Sequence, residues 1–129
     1  VQDEYCEIVK IVEEERVPFL EAEKLVLGFD HAEIGEKVAQ KWNFPKDLVE
    51  AIEYHHTPEK ALENPDLVSI VHVADAITMM MGVGLGADGM KYNLSQFAIE
   101  NLKLNETEIQ YIILEASDLI IDDDNFNVI

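Results

Sequence analysis

The chain has 129 residues, of which 48% are hydrophobic, and 27 acidic residues against 9 basic ones give it a formal net charge of −18. An apolar fraction of this size excludes a disordered chain, and the length is that of one domain with one hydrophobic core. The charge excludes nucleic acid as a partner, because phosphate contacts need clustered basic residues and Arg16 is the only arginine.

Two further features bear on where the protein resides. No apolar run is long enough to cross a bilayer, and no basic stretch followed by an apolar one marks a signal peptide, so we expect no membrane association. A single cysteine, Cys6, cannot form an internal disulfide and is interpreted as a small packed residue. Together these features predict a cytoplasmic protein. The first residue is valine, so we expect the chain to begin inside a longer reading frame.

Apolar residues near the N-terminus recur at helical spacing and predict an amphipathic first helix with the stripe Tyr5, Ile8, Val9 and Val12. Pro18 suits the first turn of a second helix that runs to about Leu27. Gly28 then provides a left-handed stop.

A capping box of Asp30 and Glu33 starts the third helix. The face that we predict for this helix is His31, Ile34, Gly35, Val38 and Trp42. After a turn at 43–45, a fourth helix leads to two adjacent histidines, His55 and His56, and the Thr-Pro pair at 57–58 ends it.

The second half of the chain continues the helical pattern. A fifth helix starts at 64–66 with the stripe Leu67, Ile70, Val71, Ala74, Ile77 and Met81. The glycine-rich stretch 82–89 is interpreted as a flexible connection, because the lysine and hydroxyl residue that end a phosphate-binding loop are missing. Capping pairs Asn93–Gln96 and Asn105–Glu108 start two more helices, the last with the face Ile109, Ile112, Ile113, Ala116 and Ile120, and the acidic tail at 122–124 should fray. The whole predicts a single all-α domain over 1–129, a bundle of six or seven helices.

Three histidines are candidates for a metal site. If the third and fourth helices are antiparallel neighbours, the start of one lies near the end of the other, which places His31 close to His55 and His56. Imidazole nitrogens are ligands for borderline divalent metals. The alternative is that each histidine is a hydrogen-bonded structural residue.

Two polar residues of the fifth helix stand three positions apart. His72 is interpreted as part of a solvated polar strip, with a local pairing to Asp75 as the alternative. Asp75 lies among core positions of this helix, so a paired or metal-ligating role is expected for it.

The motifs Asp-His-Ala-Glu-Ile-Gly at 30–35, Trp-Asn-Phe-Pro at 42–45 and Ala-Ile-Glu-Tyr-His-His at 51–56 stand in a characteristic order and spacing. In this order they resemble the HDOD family, relatives of the HD-domain metal-dependent phosphohydrolases. The Val-Ala-Asp sequence at 73–75 resembles a later helix of that family. The resemblance covers residues 18–82 and suggests the later half of an HDOD module with an HD-like helical fold.

The resemblance implies a metal centre to which His31, one or both of His55 and His56, and Asp75 contribute, with Fe, Mn, Mg or Zn as the divalent metal. In the metal-dependent relatives such a centre activates water for phosphoester hydrolysis. The family's His-Asp dipeptide is absent from this chain, and no histidine precedes His31. Either an upstream half carries it, or the protein is a shortened, non-catalytic form. The chain alone is therefore not expected to be an enzyme, and no catalytic residue is assigned.

Three functions follow as alternatives. The first is a bacterial signal-transduction module of HDOD type that acts through protein contacts, as a homodimer or with a partner, and has a partial or vestigial metal site. The second is a fragment of an active phosphohydrolase for a nucleotide or cyclic dinucleotide, so a nucleotide ligand stays open. The third is a purely structural helical interaction domain. The stripe of the first helix and the methionines at 79–81 are the surfaces expected to be exposed for contacts.

Overall fold

The computed structural model describes residues 2–81 and 94–122 of the chain. Within these ranges every regular element is helical and none is a strand, which confirms the all-α prediction. The α-helices are α1 (Gln2–Glu15), α2 (Phe19–Leu27), α3 (His31–Lys41), α4 (Lys46–Tyr54), α5 (Pro65–Met80), α6 (Gln96–Asn101) and α7 (Glu106–Asp122), and a short 3-10 helix (Pro58–Lys60) lies between α4 and α5. None of the helices in the described part has the length and apolar character that a membrane span requires.

Helices α1 and α2 form a hairpin with its own apolar core. Ile8 and Val12 are buried against Ala22, and further apolar residues of both helices pack around them. Gly28 has φ of 80° and its N–H donates to the carbonyl of Lys24, as the predicted left-handed stop requires. The α1 stripe is therefore confirmed, but the expectation that it is exposed for a partner is wrong, because α2 covers it.

Helices α3 and α4 pack through small residues. Ala32 and Ala39 are buried on α3, and a Cβ added to Gly35 would lie 2.7 Å from Cγ2 of Ile52 on α4. This close approach turns the larger residues outward, so that Ile34, Val38 and Trp42 are 40%, 40% and 67% exposed. The prediction that these larger residues face the core is wrong. The face of α3 that contacts α4 consists of small residues, because only small side chains let the two backbones approach this closely.

The buried face of α5 lies one position away from the predicted stripe. Its apolar members Val73 and Ile77 pack against Ala98 of α6, whereas Ile70 is 53% exposed. The shift follows from two buried polar residues, Ser69 and His72, whose hydrogen bonds hold them inside the bundle. Hydrophobicity alone could not predict their burial, because a polar side chain is buried only where the fold provides a hydrogen-bond partner.

The connection between α4 and α5 is held by one carboxylate. Glu50 is buried and accepts hydrogen bonds from the backbone N–H groups of Leu62, Glu63 and Asn64. Burial disfavours the charged form of Glu50, but the three N–H donors outweigh it and lower the pKa of this carboxyl below 4.5. The Asn64 side chain in turn accepts from the N–H of Leu67, so α5 starts where the sequence predicts.

The last two helices complete the described part of the bundle. Asn105 and Glu108 form the predicted reciprocal cap, with N–H to side-chain oxygen distances of 3.0 and 2.8 Å. Ile113 of α7 packs against the α5–α6 core together with Met81, whereas Met80 is 41% exposed. The glycine-rich stretch 82–89, Asn93 of the other predicted cap, the side chain of residue 120 and positions 123–124 of the acidic tail lie outside the described residues.

Candidate metal centre

The first residue of α3 meets the two residues that follow α4, and three histidine rings converge there. His31 Nε2 lies 3.4 Å from His55 Nε2 and 2.8 Å from His56 Nε2. One nitrogen from each ring falls within 4.8 Å of the others. The predicted proximity of His31 to His55 and His56 is confirmed. These three residues are called the histidine cluster below.

Two rings of the histidine cluster have their orientation set by acceptors on the far side. His55 Nδ1 lies 2.8 Å from the carbonyl oxygen of Ile52, and His31 Nδ1 lies 2.7 Å from Oε2 of Glu23. A carbonyl or carboxylate oxygen only accepts, so each Nδ1 carries the proton and donates it. Each Nε2 is then left with a lone pair directed into the cluster, which is the form in which imidazole binds a metal.

The third ring is held in the neutral form by its surroundings. Burial first, and then the neighbouring His55, His31 and His72, lower the pKa of His56 to about 3. Burial also lowers the pKa of His55. Metal ligation requires neutral imidazole, so both rings are in the ligating protonation state at neutral pH. His56 Nε2 donates to His31 Nε2 in this arrangement, because His31 Nε2 has no proton of its own.

Asp75 stands beside the cluster and does not join its converging atoms. Its Oδ2 lies 4.0 Å from Nδ1 of His56, and its side chain is one-third exposed. The group of three ligand atoms within 4.8 Å is made of histidines alone, among the residues that the structure describes. Asp75 faces the outer nitrogen of one cluster ring, and a ligand role for it remains a prediction.

His72 occupies a different place from the one predicted. It is 2% exposed, so the interpretation as a solvated polar strip is wrong. Its Nδ1 donates to the carbonyl of His55 at 2.7 Å, and its Nε2 accepts the N–H of Ser95 at 2.9 Å. These two bonds use both ring nitrogens of His72 and join the end of α4 to the start of α6 through α5.

Asp30, next to the first cluster histidine, has a structural role. One carboxylate oxygen accepts the N–H of Glu33 in the predicted capping box, and the other lies 3.0 Å from Nζ of Lys24. Burial disfavours the carboxylate, but the Glu33 N–H and the Lys24 ammonium outweigh it and lower the pKa of Asp30. Both oxygens serve the start of α3, which explains an Asp-His order without metal binding by the aspartate.

Glu23 is the residue that sequence reasoning missed. It is 7% exposed on α2 and accepts from both the ring Nδ1 and the backbone N–H of His31. The signal was an acidic residue at helical spacing from Phe19 and Val26, on the apolar face of α2. A carboxylate on such a face needs a partner elsewhere in the fold.

The donor set fits a borderline divalent metal. Zinc–nitrogen bonds of about 2.0–2.1 Å in a tetrahedron place two nitrogens about 3.3 Å apart. The His31–His55 separation of 3.4 Å meets this value, and the His31–His56 separation of 2.8 Å would widen on binding. Three imidazoles leave one position of a tetrahedron for water or another ligand. Nitrogen ligands suit Zn²⁺ or Fe²⁺ better than Mg²⁺.

The first part of the chain is similar to a known family of protein domains. Residues 1–58 match the family model of the HDOD domain. The match supports the resemblance carried by the motifs at 30–35, 42–45 and 51–56. It starts before the predicted region 18–82 and ends before α5, so Asp75 lies outside it. The HD-superfamily relation and the assignment to a later half remain predictions.

Two relatives extend the comparison. An uncharacterized protein of Treponema pallidum (strain Nichols) is 32% identical over 69 residues, which are 53% of this chain and 14% of that protein. A crystal structure of an HDOD domain protein with unknown function from Geobacter sulfurreducens matches 98% of this chain with a TM-score of 0.69 at 21% identity. The chain covers 47% of that structure, so it spans less than half of either relative. The structural likeness establishes an HDOD-like fold.

Proposed function

We propose that the protein is a non-catalytic regulatory module of HDOD type, which binds one divalent metal at the histidine cluster and acts through protein contacts. The observation that carries the metal site is the convergence of three ring nitrogens within 4.8 Å. Two of the rings turn their lone pairs inward because their Nδ1 atoms donate elsewhere. The third ring, His56, donates its Nε2 proton to His31, and a bound cation would take the place of that proton.

The regulatory assignment is supported by the match of residues 1–58 to the HDOD family model and by the fold. A phosphoester hydrolase needs cationic groups to stabilise the charge that develops on phosphate. This chain has a net charge of −18, and its single arginine, Arg16, follows the end of α1. The His-Asp dipeptide is absent from the sequence. The shortage of cationic groups and the absence of the dipeptide favour a regulatory role over hydrolysis. In that role the bound metal stabilises a surface for protein contacts.

A second candidate is metal-dependent phosphoester hydrolysis. The observation that favours it is the three-imidazole donor set, since a tetrahedral metal on three protein ligands keeps one position for a water. A metal bound there would supply Lewis acidity and a hydroxide at neutral pH. The substrate would be a nucleotide or a cyclic dinucleotide, as in the phosphohydrolase alternative.

Metal binding is tested by isothermal titration of the metal-free protein with Zn²⁺ and, separately, Fe²⁺ under anaerobic conditions and Mg²⁺. We expect one zinc per chain, a comparable iron site and no magnesium binding, and we expect His55→Ala to lose the site. The matched control is Cys6→Ser. Cys6 is exposed, so its interpretation as a packed residue is wrong, and the thiolate of this single cysteine is an alternative zinc ligand. Zinc binding that disappears in Cys6→Ser and persists in His55→Ala contradicts the proposed site.

The same proteins separate the two candidate functions. The zinc- and iron-loaded chains are assayed for release of nitrophenol from bis(p-nitrophenyl) phosphate and for cleavage of cyclic dinucleotides. We expect rates equal to those of free metal. Metal-dependent turnover that is lost in His55→Ala and retained in Cys6→Ser would replace the regulatory proposal with the hydrolytic one.

A further inference from the structure

Glu23 brings a carboxylate from α2 to the first residue of α3. A single oxygen, Oε2, lies 2.7 Å from the ring Nδ1 of His31 and 3.1 Å from its backbone N–H. The Glu23 side chain is 9% exposed, whereas that of His31 is 44% exposed. The more exposed ring is therefore anchored by the more buried acid.

The position of His31 in its helix explains why the acceptor comes from another helix. The first residues of an α-helix present unpaired N–H groups, and the free carbonyls lie at the opposite end. His55, at the C-terminal end of α4, reaches the carbonyl of Ile52 in its own helix. His31 starts α3 and has donors around it, so an acceptor for its Nδ1–H must be supplied from outside.

We propose that Glu23 is the positioning residue of the histidine cluster, holding the His31 ring as the Nδ1–H tautomer so that its Nε2 lone pair points at His55 and His56. The part of this inference that concerns metal affinity rests on the proposed function. The carboxylate is an obligate acceptor, so it admits one tautomer only. Its negative charge also makes the opposite nitrogen a stronger donor to a cation. Glu23 itself stays outside the ligand set, with its oxygen on the far side of the ring.

The test compares Glu23→Gln with the unaltered protein. Glutamine keeps the shape and one acceptor oxygen, but its amide can also donate to Nδ1, which favours the other tautomer. We expect zinc affinity, measured by competition with a chromophoric chelator, to fall about 10- to 100-fold. Glu33→Gln is the matched control, because Glu33 caps the same helix start through Asp30 and does not contact the His31 ring in the capping box. Its zinc affinity should stay within about threefold of the unaltered protein.

A second measurement needs no metal. Ring ¹⁵N chemical shifts in the metal-free protein distinguish a protonated Nδ1 from a protonated Nε2, and we expect protonated Nδ1 at His31 in the unaltered protein. Glu23→Gln should show a mixture of the two forms. A protonated Nε2 at His31 in the unaltered protein overturns the inference, and so does a Glu23→Gln protein that keeps both the tautomer and the affinity.

The outcomes separate this inference from the proposed function. If the unaltered protein binds no zinc, the metal site is wrong, and the ring ¹⁵N shifts still decide whether Glu23 sets the tautomer. If zinc binds and Glu23→Gln keeps both the zinc affinity and the His31 tautomer, the metal site stands and the role of Glu23 is wrong.

Discussion

Two polar clusters lie along helix α4, one around Glu50 and one at the histidine cluster. Their polar groups are paired in different ways. Glu50 faces three backbone N–H donors from residues 62–64, so a charged acceptor is matched by donors. The histidine cluster, a turn beyond, brings ring nitrogens to within 2.8 and 3.4 Å of one another. The first arrangement is complete within the chain and stabilises a loop. The second is complete only with a cation or a shared proton, and that incompleteness distinguishes a candidate binding site from a structural polar cluster.

The largest effect on stability is expected at Glu50. Glu50→Ala removes an ionised acceptor from three N–H groups around a buried position, and hydrogen bonds to charged groups contribute about 1.5–3 kcal/mol each, less than additively. We expect the free energy of unfolding to fall by roughly 3–4 kcal/mol, measured by urea denaturation. A loss of under about 1 kcal/mol would mean that water replaces the carboxylate and that the loop does not depend on it.

Acid titration provides the control for this prediction. The pKa of Glu50 is lowered in the folded protein, so its contribution is present above pH 4.5 and is lost as the pH falls below that value. Glu50→Gln has no such carboxylate, so the difference in stability between the two proteins should shrink on acidification from pH 6 to pH 3. A constant difference over this range would assign the effect to shape and not to charge.

An intermediate effect is expected at the contact between α3 and α4. Gly35→Ala adds a Cβ 2.7 Å from Cγ2 of Ile52, and overpacking of this kind costs about 1–3 kcal/mol. The same change pushes apart the helices that carry the cluster histidines, so zinc affinity should fall together with stability. Thermal unfolding and zinc competition measure the two effects. Ile52→Leu, which has a single γ-carbon on Cβ, should recover part of both in the Gly35→Ala background. A full zinc affinity in Gly35→Ala would show that the contact between α3 and α4 does not set the cluster geometry.

The smallest effect on stability is expected within the histidine cluster. His56→Leu replaces a mostly buried imidazole, whose pKa is depressed mainly by burial, with an apolar side chain of similar size. We expect the free energy of unfolding to stay within about 1 kcal/mol of the unaltered protein or to rise, while zinc binding is lost. Urea denaturation in a chelating buffer measures this. A loss comparable with that of Glu50→Ala would classify the histidines as structural, and the two clusters would no longer differ.

Local sequence signals predicted the elements of this fold well. The capping box at Asp30, the stop at Gly28 and the cap at Asn105 each depend on neighbours in sequence, and each is confirmed. The meeting of His31 with His55 and His56 was also predictable, because adjacent antiparallel helices bring those ends together.

What the sequence could not supply are features that depend on how helices meet. The buried faces of α3 and α5 were misplaced because small residues and hydrogen-bonded polar residues, among them Gly35 and His72, form the contacts in place of the largest apolar ones. Glu23 was missed because its partner lies on the next helix, eight residues away. Pattern analysis weighs hydrophobicity at a position, whereas close approach and long-range hydrogen bonds are properties of pairs.

The contact between α3 and α4 through small residues also limits which substitutions evolution can accept there. A substitution at position 35 must be matched on α4 at once, because a Cβ there meets the γ-carbon of Ile52. The outward residues Ile34 and Trp42 of the same helix are more open to change, since they are 40% and 67% exposed. Related sequences should therefore vary on the outward face of α3 and change little on the face that contacts α4. An alignment of orthologues that share the three histidines would show glycine or a coupled pair at positions 35 and 52, next to variable residues at 34 and 42.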